Sequence, residues 1–411
     1  MLKIKAKRMQ LTQKIRIFPT KEQEETLWSL SDICRKLYNQ SLSKRMECWF
    51  NDYPISFYDQ QNSLPQKKQD NPELKQVYSK VLQMVVRQLD KDFKSALALQ
   101  KKDDKASFPK FKGKKYFTTM YYNQSGFAIR NNKVELSHKI NNTDLKFAIP
   151  SKFKFEDVAQ VSVFFKDNKY FLSIIYNKEP QVYVDNGLYQ AFDLGVTKHV
   201  AVNLNGKFVE FTNQRPDRYW ALKLKTIQSR RDHCKRKSRK WYVLNNNYNM
   251  MRRKSSNQLK DIQHKLSRHI IDNTKANTIV VGDLSVKQMC QINKHQKALH
   301  NSLHNTGIIG QFVRTLTYKA ELEGKKVIEF NERKTTKKCC CCGKEHYMPL
   351  SKRIMDCECG NKIDRDRNSS VNIMSKFLSQ NGLCTPYQHF VDNLRHTGVP
   401  VVELHSQEAT S

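Results

Sequence analysis

Six of the eleven cysteines crowd into the 21 residues from Cys339 to Cys359, namely Cys339, Cys340, Cys341, Cys342, Cys357 and Cys359. Cys339-x-x-Cys342-Gly343 and Cys357-x-Cys359-Gly360 set two thiol pairs on short turns. The glycines permit the tight backbone that aims all four sulfurs at one ion, and tetrahedral zinc suits that donor set. Spacing alone leaves Cys340 and Cys341 open as substitutes in the first pair; the commoner Cys-x-x-Cys-Gly form favours Cys339 and Cys342. A redox role for the four-cysteine run leaves the second pair unexplained. A second group is acidic: Asp193 in FDLG, Asp283 in VVGDLSV, Glu332 in FNERKTT and Asp366 in DRDRNSS. Two-metal phosphodiester hydrolysis needs several carboxylates at one end of a sheet, where two Mg²⁺ ions about 3.5–4 Å apart stabilise the attacking and leaving oxygens. Taken singly, an Asp after an apolar strand is more often a turn former or cap, so only the joint arrangement speaks for this chemistry.

The elements that must position these residues follow from periodicity. Residues 11–19, LTQKIRIFP, alternate as a strand and lead to a helix N-cap at Thr20. Leu27, Leu30, Cys34, Leu37 and Leu42, then Leu74, Val77, Val81, Val85, Leu89, Phe93 and Leu97, form helical stripes, which predicts a helical bundle from Lys21 to Gln100. From Ser107, FPKFKGKKYFTTMYYNQSGFAIR interleaves cations with rings, and short alternating runs continue to Tyr176; this predicts a small β-barrel. Such interleaving suits single-stranded or A-form nucleic acid, where cations meet phosphates and rings offer stacking faces.

A second unit opens near Leu188. Three strands with an Asn-Gly hairpin are followed by a very basic stretch from Arg215 to Asn257 and a helix carrying Leu259, Ile262, Leu266 and Ile270. The buried-type strand NTIVVGDLSV comes next, then a helix ending at Gly324 as C-cap, the strand KKVIEF, the cysteine knuckle and a last helix at SSVNIMSKFL. This order fits an RNase H-like mixed sheet, with a poorly ordered tail after Ser379.

Charge narrows the partners. Lys plus Arg number 73 and Asp plus Glu 39, a net charge of +34 carried by a folded body, so a polyanion is expected as partner. No segment has signal-peptide character or the length of a membrane span, and the clustered cysteines suit a reducing compartment. The expectation is a soluble protein of the cell interior, cytoplasmic and nucleoid-associated, with no membrane partner.

In combination, RIFPTKEQ, FPKFKGK, AFDLGVTKHVAVN, IVVGDLSV, LTYKAELEGKKV, TTKKCCCCG, CECGNKIDRD and RNSSVNI resemble the TnpB family, in family order across residues 11 to 377. These are the RNA-guided nucleases of insertion sequences, related to type V CRISPR effectors. The resemblance implies an α+β multidomain chain. A wedge-like β-barrel (1–20 and 107–183) would hold an inserted helical recognition bundle (21–106). An RNase H-like RuvC mixed α/β domain (184–336 and 361–378) would follow, carrying an inserted zinc ribbon (337–360), ahead of the tail read above as flexible (379–411).

Carried over residue by residue, Asp193 matches the first RuvC carboxylate and Asp366, in Asp-x-Asn, the last. The middle one departs from the pattern, because Gly282 stands where the family has Glu before Asp-Leu. Strand side chains alternate, so Asp283 points away from the direction of residue 282. Some family members have a Glu just ahead of the Thr-Thr-x-x-Cys box, here Glu332, and KKVIEFNE beside TIVVGD would let it reach the same metals. The resemblance therefore implies two Mg²⁺ on Asp193, Glu332 and Asp366, with Asp283 or an incomplete site as alternatives, and structural Zn²⁺ on Cys339, Cys342, Cys357 and Cys359. It further implies a guide RNA, a target DNA duplex with its displaced strand, and a transposase of the same element as partners. The implied function is RNA-guided DNA cleavage beside a short protein-read motif. A nuclease-dead RNA-guided repressor, a strand-transferring transposase and a protein binding nucleic acid by charge alone are the competing readings.

Overall fold

A computed structural model describes residues 8–103, 106–140, 143–283, 308–349 and 351–396. The chain divides into two compact units, Lys7–Glu179 and, in the main, Pro180–Ser411. In the first, strand β1 (Met9–Ile17) gives way at Pro19 to helix α1 (Lys21–Phe50). Thr20 closes a capping box there: its Oγ1 accepts the Gln23 N–H at 3.3 Å, and Gln23 Oε1 accepts the Thr20 N–H at 3.1 Å. Short helices α2 (Phe57–Asn62) and α3 (Leu64–Asp70) lead through a 3₁₀ turn to α4 (Ser79–Gln100). The apolar stripes of α1 and α4 share one core, which includes Leu27, Leu37, Val85 and Leu89. The buried Arg45–Asp90 pair at 2.8 Å ties the two helices together.

Next come β2 (Met120–Asn123), the meander β3 (Phe127–Arg130), β4 (Lys133–Leu136) and β5 (Lys146–Ala148), and the long hairpin β6 (Asp157–Lys166) and β7 (Lys169–Lys178). Two hairpins turn on residue pairs with positive φ: Asn131 and Asn132 (47° and 56°) and Asp167 and Asn168 (58° and 57°). Paired left-handed residues make the tight turn whose twist matches its strands, and Asn and Asp tolerate that region best. The expected β-barrel does not form. The strands make an open antiparallel sheet, β1-β7-β6-β2, and a separate sheet, β3-β4-β5. Closure would require the edges to pair. Since β2 offers four residues before Gln124–Gly126 turns the chain into the meander, β1 and β2 stay edges.

The second unit is built on a five-stranded mixed sheet of order β10-β9-β8-β11-β12. Its strands are β8 (Tyr189–Leu194), β9 (Lys198–Asn203), β10 (Phe208–Thr212), β11 (Thr278–Gly282) and β12 (Lys326–Phe330). The first three are antiparallel, whereas β11 runs parallel to both β8 and β12. All five residues of β11 are buried, as a central strand covered on both faces requires, so its sequence is a continuous apolar run. One face carries Phe192, Ile279 and Val281 against α6 (Arg239–Asn273) and α7 (Ile308–Leu322). The other carries Ala191, Val202 and Val280 against Val371, Met374 and Phe377 of α8 (Arg365–Gln380). Gly324, at φ +66°, ends the α7 segment as its position predicts.

The basic stretch expected ahead of a single helix is itself helical. It contains α5 (Pro216–Asp232), which packs on α6 as a hairpin; α5 buries only Pro216, and α6 is buried only from Leu259 onward. The segment expected to be poorly ordered after Ser379 departs from expectation as well. Helix α9 (Cys384–His396) seats a fully buried Phe390 in the sheet core, and Asn393 Nδ2 donates to Leu204 O at 3.0 Å. Residues 397–411 lie outside the described residues. No helix among the described residues is long and apolar enough to cross a membrane. Phe390→Ala is expected to lower the stability of this unit by about 3–5 kcal/mol, seen as an earlier urea midpoint. A shift below about 0.5 kcal/mol would show that α9 does not pack as described.

Candidate active site and cysteine cluster

Three elements bring the acidic residues to one end of the mixed sheet. Asp193 is the penultimate residue of β8, and one residue past the Phe192–Val281 pair stand Asp193 and Gly282. Gly282 pairs with Phe330 across the parallel β11–β12 ladder, and Asp283 extends that ladder by donating its N–H to Phe330 O at 2.8 Å. Two residues beyond Phe330, the Glu332 side chain folds back over Gly282. A Cβ built on Gly282 would overlap Glu332 Oε2 outright and lie 3.0 Å from its Cδ. The volume that a side chain at 282 would need is therefore filled by the carboxylate of Glu332. Thr335 fixes this arrangement, because its N–H and Oγ1 both donate to Glu332 O, at 3.1 and 2.8 Å.

The acids act on one another electrostatically. Burial holds the Asp193 carboxyl well above the usual carboxylate range, the charges of Glu332 and Asp366 add to the shift, Arg365 opposes it, and Asp364 adds a smaller push. Glu332 is raised to about 7 by burial and by the charge of Asp283. Its Oε2 is buried with no hydrogen-bond partner, which costs free energy unless a cation or donor meets it. Asp366 lies in the first turn of α8, where its Oδ1 accepts from Arg365 Nε and Nη2 at 3.2 and 3.1 Å. The charges of Glu332 and Asp366 thus both act on the buried Asp193, while Asp283 is exposed and acts on Glu332. Carboxylate oxygens at one end of a sheet are the donor type that hard divalent cations take.

One acid escaped the sequence reading. Asp364 is the N-cap of α8, and its Oδ1 accepts the N–H of Asp366 at 2.9 Å and of Arg367 at 3.2 Å. Its signal was available: an Asp just ahead of a helical stripe is an N-cap signature.

The cysteines form a second, tighter cluster. The Sγ atoms of Cys339, Cys342, Cys357 and Cys359 all lie within 4.8 Å of one another, with Cys339–Cys359 at 3.7 Å and Cys342–Cys357 at 3.5 Å. Tetrahedral sulfurs about 2.3 Å from a zinc ion stand about 3.8 Å apart, so the four fit that ion. Cys340 and Cys341, left open by spacing, are outside this set. Gly343 (φ 73°) and Gly360 (φ 87°) adopt the left-handed backbone that both turns require. Burial opposes ionisation of Cys339, but the Asn361 amide at 3.2 Å and the backbone N–H groups of Cys342 and Cys341 outweigh it and draw the thiol down to about 6. His346 Nε2 lies 3.2 Å from Cys357 Sγ. Strands β13 (Ile354–Asp356) and β14 (Lys362–Asp364) carry the second cysteine pair between them and run straight into α8. On that helix, buried Asn368 accepts from Cys340 N at 2.9 Å and donates to Lys338 O at 2.7 Å, so the cluster is anchored to the helix that bears Asp366.

Three family models match along the chain: a helix-turn-helix domain of the OrfB/IS605 group at residues 9–51, a "Probable transposase" of the same group at 173–293, and a Cas12f1-like TNB domain at 310–373. In this chain the first span is β1 and the long helix α1. A "Putative RNA-guided DNA endonuclease" from Streptomyces pristinaespiralis is 24% identical over 374 residues, 89% of each chain. TnpB-like protein L79 from Acanthamoeba polyphaga mimivirus is 33% identical over 135 residues, which are 32% of this chain and 25% of that relative. Among solved structures, Cas12f1 in complex with sgRNA and target DNA superposes with a TM-score of 0.55 at 11% identity, covering 89% of this chain and 98% of that one; the likeness is one of mixed α/β, multidomain fold. The three models fall in chain order and one relative is similar along nearly its whole length, so the chain is similar to OrfB/IS605 and TnpB-like proteins.

Proposed function

We propose that this protein is an RNA-guided DNA endonuclease of a transposable element that hydrolyses phosphodiester bonds at a RuvC-like site formed by Asp193, Glu332 and Asp366. The observation that carries the reading is the side chain of Glu332 lying in the volume above Gly282: the position that departs from the family pattern is vacant of its own side chain and filled by a carboxylate from the neighbouring strand. Asp193, Glu332 and Asp366 would hold two Mg²⁺ ions, which when bound supply water activation and stabilisation of the 3′-oxygen leaving group. The chain's own contribution is placement. β8 and the β11–β12 pair hold two carboxylates at adjacent strand ends, and α8 brings the third from above the sheet.

Nucleic acid would be held by charge and shape while base pairing reads the target. Thirteen Lys and Arg stand against two Asp between Pro216 and Gln258, on a helical hairpin that also exposes Tyr219 and Tyr242. The guide RNA and the target DNA are the partners that this surface and the family relatives support. Zn²⁺ on the four cysteines would be structural, because four sulfur ligands leave no open position for substrate.

The test is to purify the protein with RNA from its native locus and measure Mg²⁺-dependent cutting of a matching duplex with a randomised flank. Guide-matched cutting that is lost in Asp193→Ala is expected. Retarded but uncut DNA would support a nuclease-dead binder, joined products would support strand transfer, and binding indifferent to guide sequence would leave only charge. The position of the middle carboxylate has its own signature. Glu332→Ala should lower cutting by about 10³-fold or more with guide binding intact. Gly282→Glu alone should also impair it by steric conflict, while Gly282→Glu with Glu332→Ala should recover part of the rate; a double variant no better than Glu332→Ala would remove this account of the site. For the cysteines, Cys339→Ser should reduce zinc content by metal analysis and lower the thermal midpoint together, whereas Cys341→Ser should leave zinc stoichiometry at the wild-type value.

A further inference from the structure

The first turn of α8 carries Asp366, yet the apolar packing of this helix on the sheet begins only at Val371, a turn and a half later. Polar contacts must therefore set the seat of that first turn. On one side Asn368 anchors it to the cysteine knuckle. On the other, four side chains that the hydrolytic scheme leaves unused close a ring. Asp364 caps the helix through Oδ1, and its Oδ2 lies 3.3 Å from Nζ of Lys198, the first residue of β9. Lys198 Nζ also donates to Glu210 Oε2 on β10 at 3.1 Å, and Glu210 Oε1 accepts from Arg367 Nε at 2.6 Å, which returns the path to α8. Two acids and two bases balance in charge, and their side chains are only 16–33% exposed.

The turn that delivers Lys198 is shaped for this position. The Gly195 N–H donates to Lys198 O at 3.0 Å, and a Cβ on Gly195 would overlap that oxygen, so any other residue would push the strand start away. Asn213 Nδ2 holds the same turn through Gly195 O at 2.9 Å. Isolated exposed ion pairs contribute little, but a part-buried closed ring restrains orientation as well as distance.

We infer that Lys198 and Glu210 are positioning residues for the metal site: through Asp364 and Arg367 they lock the β9–β10 hairpin to the first turn of α8 and so fix where Asp366 sits relative to Asp193. The inference rests on the nuclease reading given above. Sub-ångström placement of metal ligands decides affinity, and the groups that orient such ligands commonly change it by about 10–100-fold when removed.

The experiment uses the full chain with Lys198→Met, Glu210→Gln, the double variant and Lys198→Arg. Binding of Mn²⁺ is followed by electron paramagnetic resonance, with Asp193→Ala marking the signal that belongs to the carboxylate site, and guide-directed cutting is followed as a function of Mg²⁺ concentration. Lys198→Met and Glu210→Gln are each expected to weaken Mn²⁺ binding and raise the half-saturating Mg²⁺ about tenfold, with rate regained at high Mg²⁺. The double variant should be no worse than either single one, because one ring is broken once, and Lys198→Arg should stay close to wild type. Zinc content and guide-RNA affinity should not change, which separates positioning from loss of fold. Wild-type Mn²⁺ affinity and Mg²⁺ dependence in both single variants, or multiplying defects in the double, would overturn the inference while leaving the nuclease reading standing. If wild type binds Mn²⁺ at this site without cutting, the nuclease reading falls, and weakened Mn²⁺ binding in the ring variants still supports the ring.

Discussion

The interaction on which the site depends is the approach of the Glu332 carboxylate to the bare Cα of Gly282. Parallel strands lie about 4.8 Å apart, so a side chain from one strand end can cover a residue of the next only where that residue projects nothing of its own. Gly282 meets this condition, and the β11–β12 register with the Thr335 clamp sends Glu332 back over it. The arrangement gathers like charges under poor solvation. Glu332, at about 7 in the folded chain, lies well above the ~4.3 of an unfolded glutamate. Its folded-state pKa is raised, so its contribution to stability is fully present below about pH 4 and is lost as pH rises towards 7. Ionising these buried acids as pH rises opposes folding, and any cation that binds the folded form alone offsets that cost by linkage.

Much of the frame was legible because it is written locally. The Thr20 capping box, the unbroken apolar run of β11, the glycine ending α7 and the Cys-x-x-Cys-Gly turn all express themselves within a few residues, and the structure contains each of them. The choice among four consecutive cysteines was less legible: spacing allows several pairings, and only the folded turns show which sulfurs converge. The place of Glu332 required a strand-pairing argument, since nothing within five residues of Gly282 says that its side-chain volume is filled from fifty positions later.

Other features were hidden for physical reasons of the same kind. Barrel closure depends on whether two edges meet, which alternation within each strand does not encode, so β1 and β2 read like barrel strands and stand open. Helix α9 is seated chiefly by Phe390, buried in a core formed by β8, β11 and α8, with Leu394 and the Asn393–Leu204 hydrogen bond beside it; a polar-looking tail gave little sign of this. The ring of Lys198, Glu210, Asp364 and Arg367 is spread over 170 residues, and each member, taken alone, reads as a solvated surface charge.

The two centres are one mechanical object because they share α8. Its N-cap, Asp364, is the last residue of β14, which closes the cysteine hairpin; its first turn bears Asp366 and holds Lys338 and Cys340 through Asn368; and from Val371 it packs on the core. A displaced knuckle would therefore pull on the helix at Asn368, two residues from the carboxylate. The ring at Asp364 restrains the same turn from the opposite side, so Asp366 is held between two polar fixtures and an apolar base. Glu332 is tied into this object as well: Thr335, which clamps its carbonyl, meets Ser369 Oγ at 3.0 Å and accepts from Asn368 and Asn372 through its own carbonyl. The carboxylate supplied by the neighbouring strand is thus fastened to the helix that supplies Asp366. Through this coupling the backbone of Glu332 is tied to the helix that bears Asp366, so the two carboxylates are restrained as one unit.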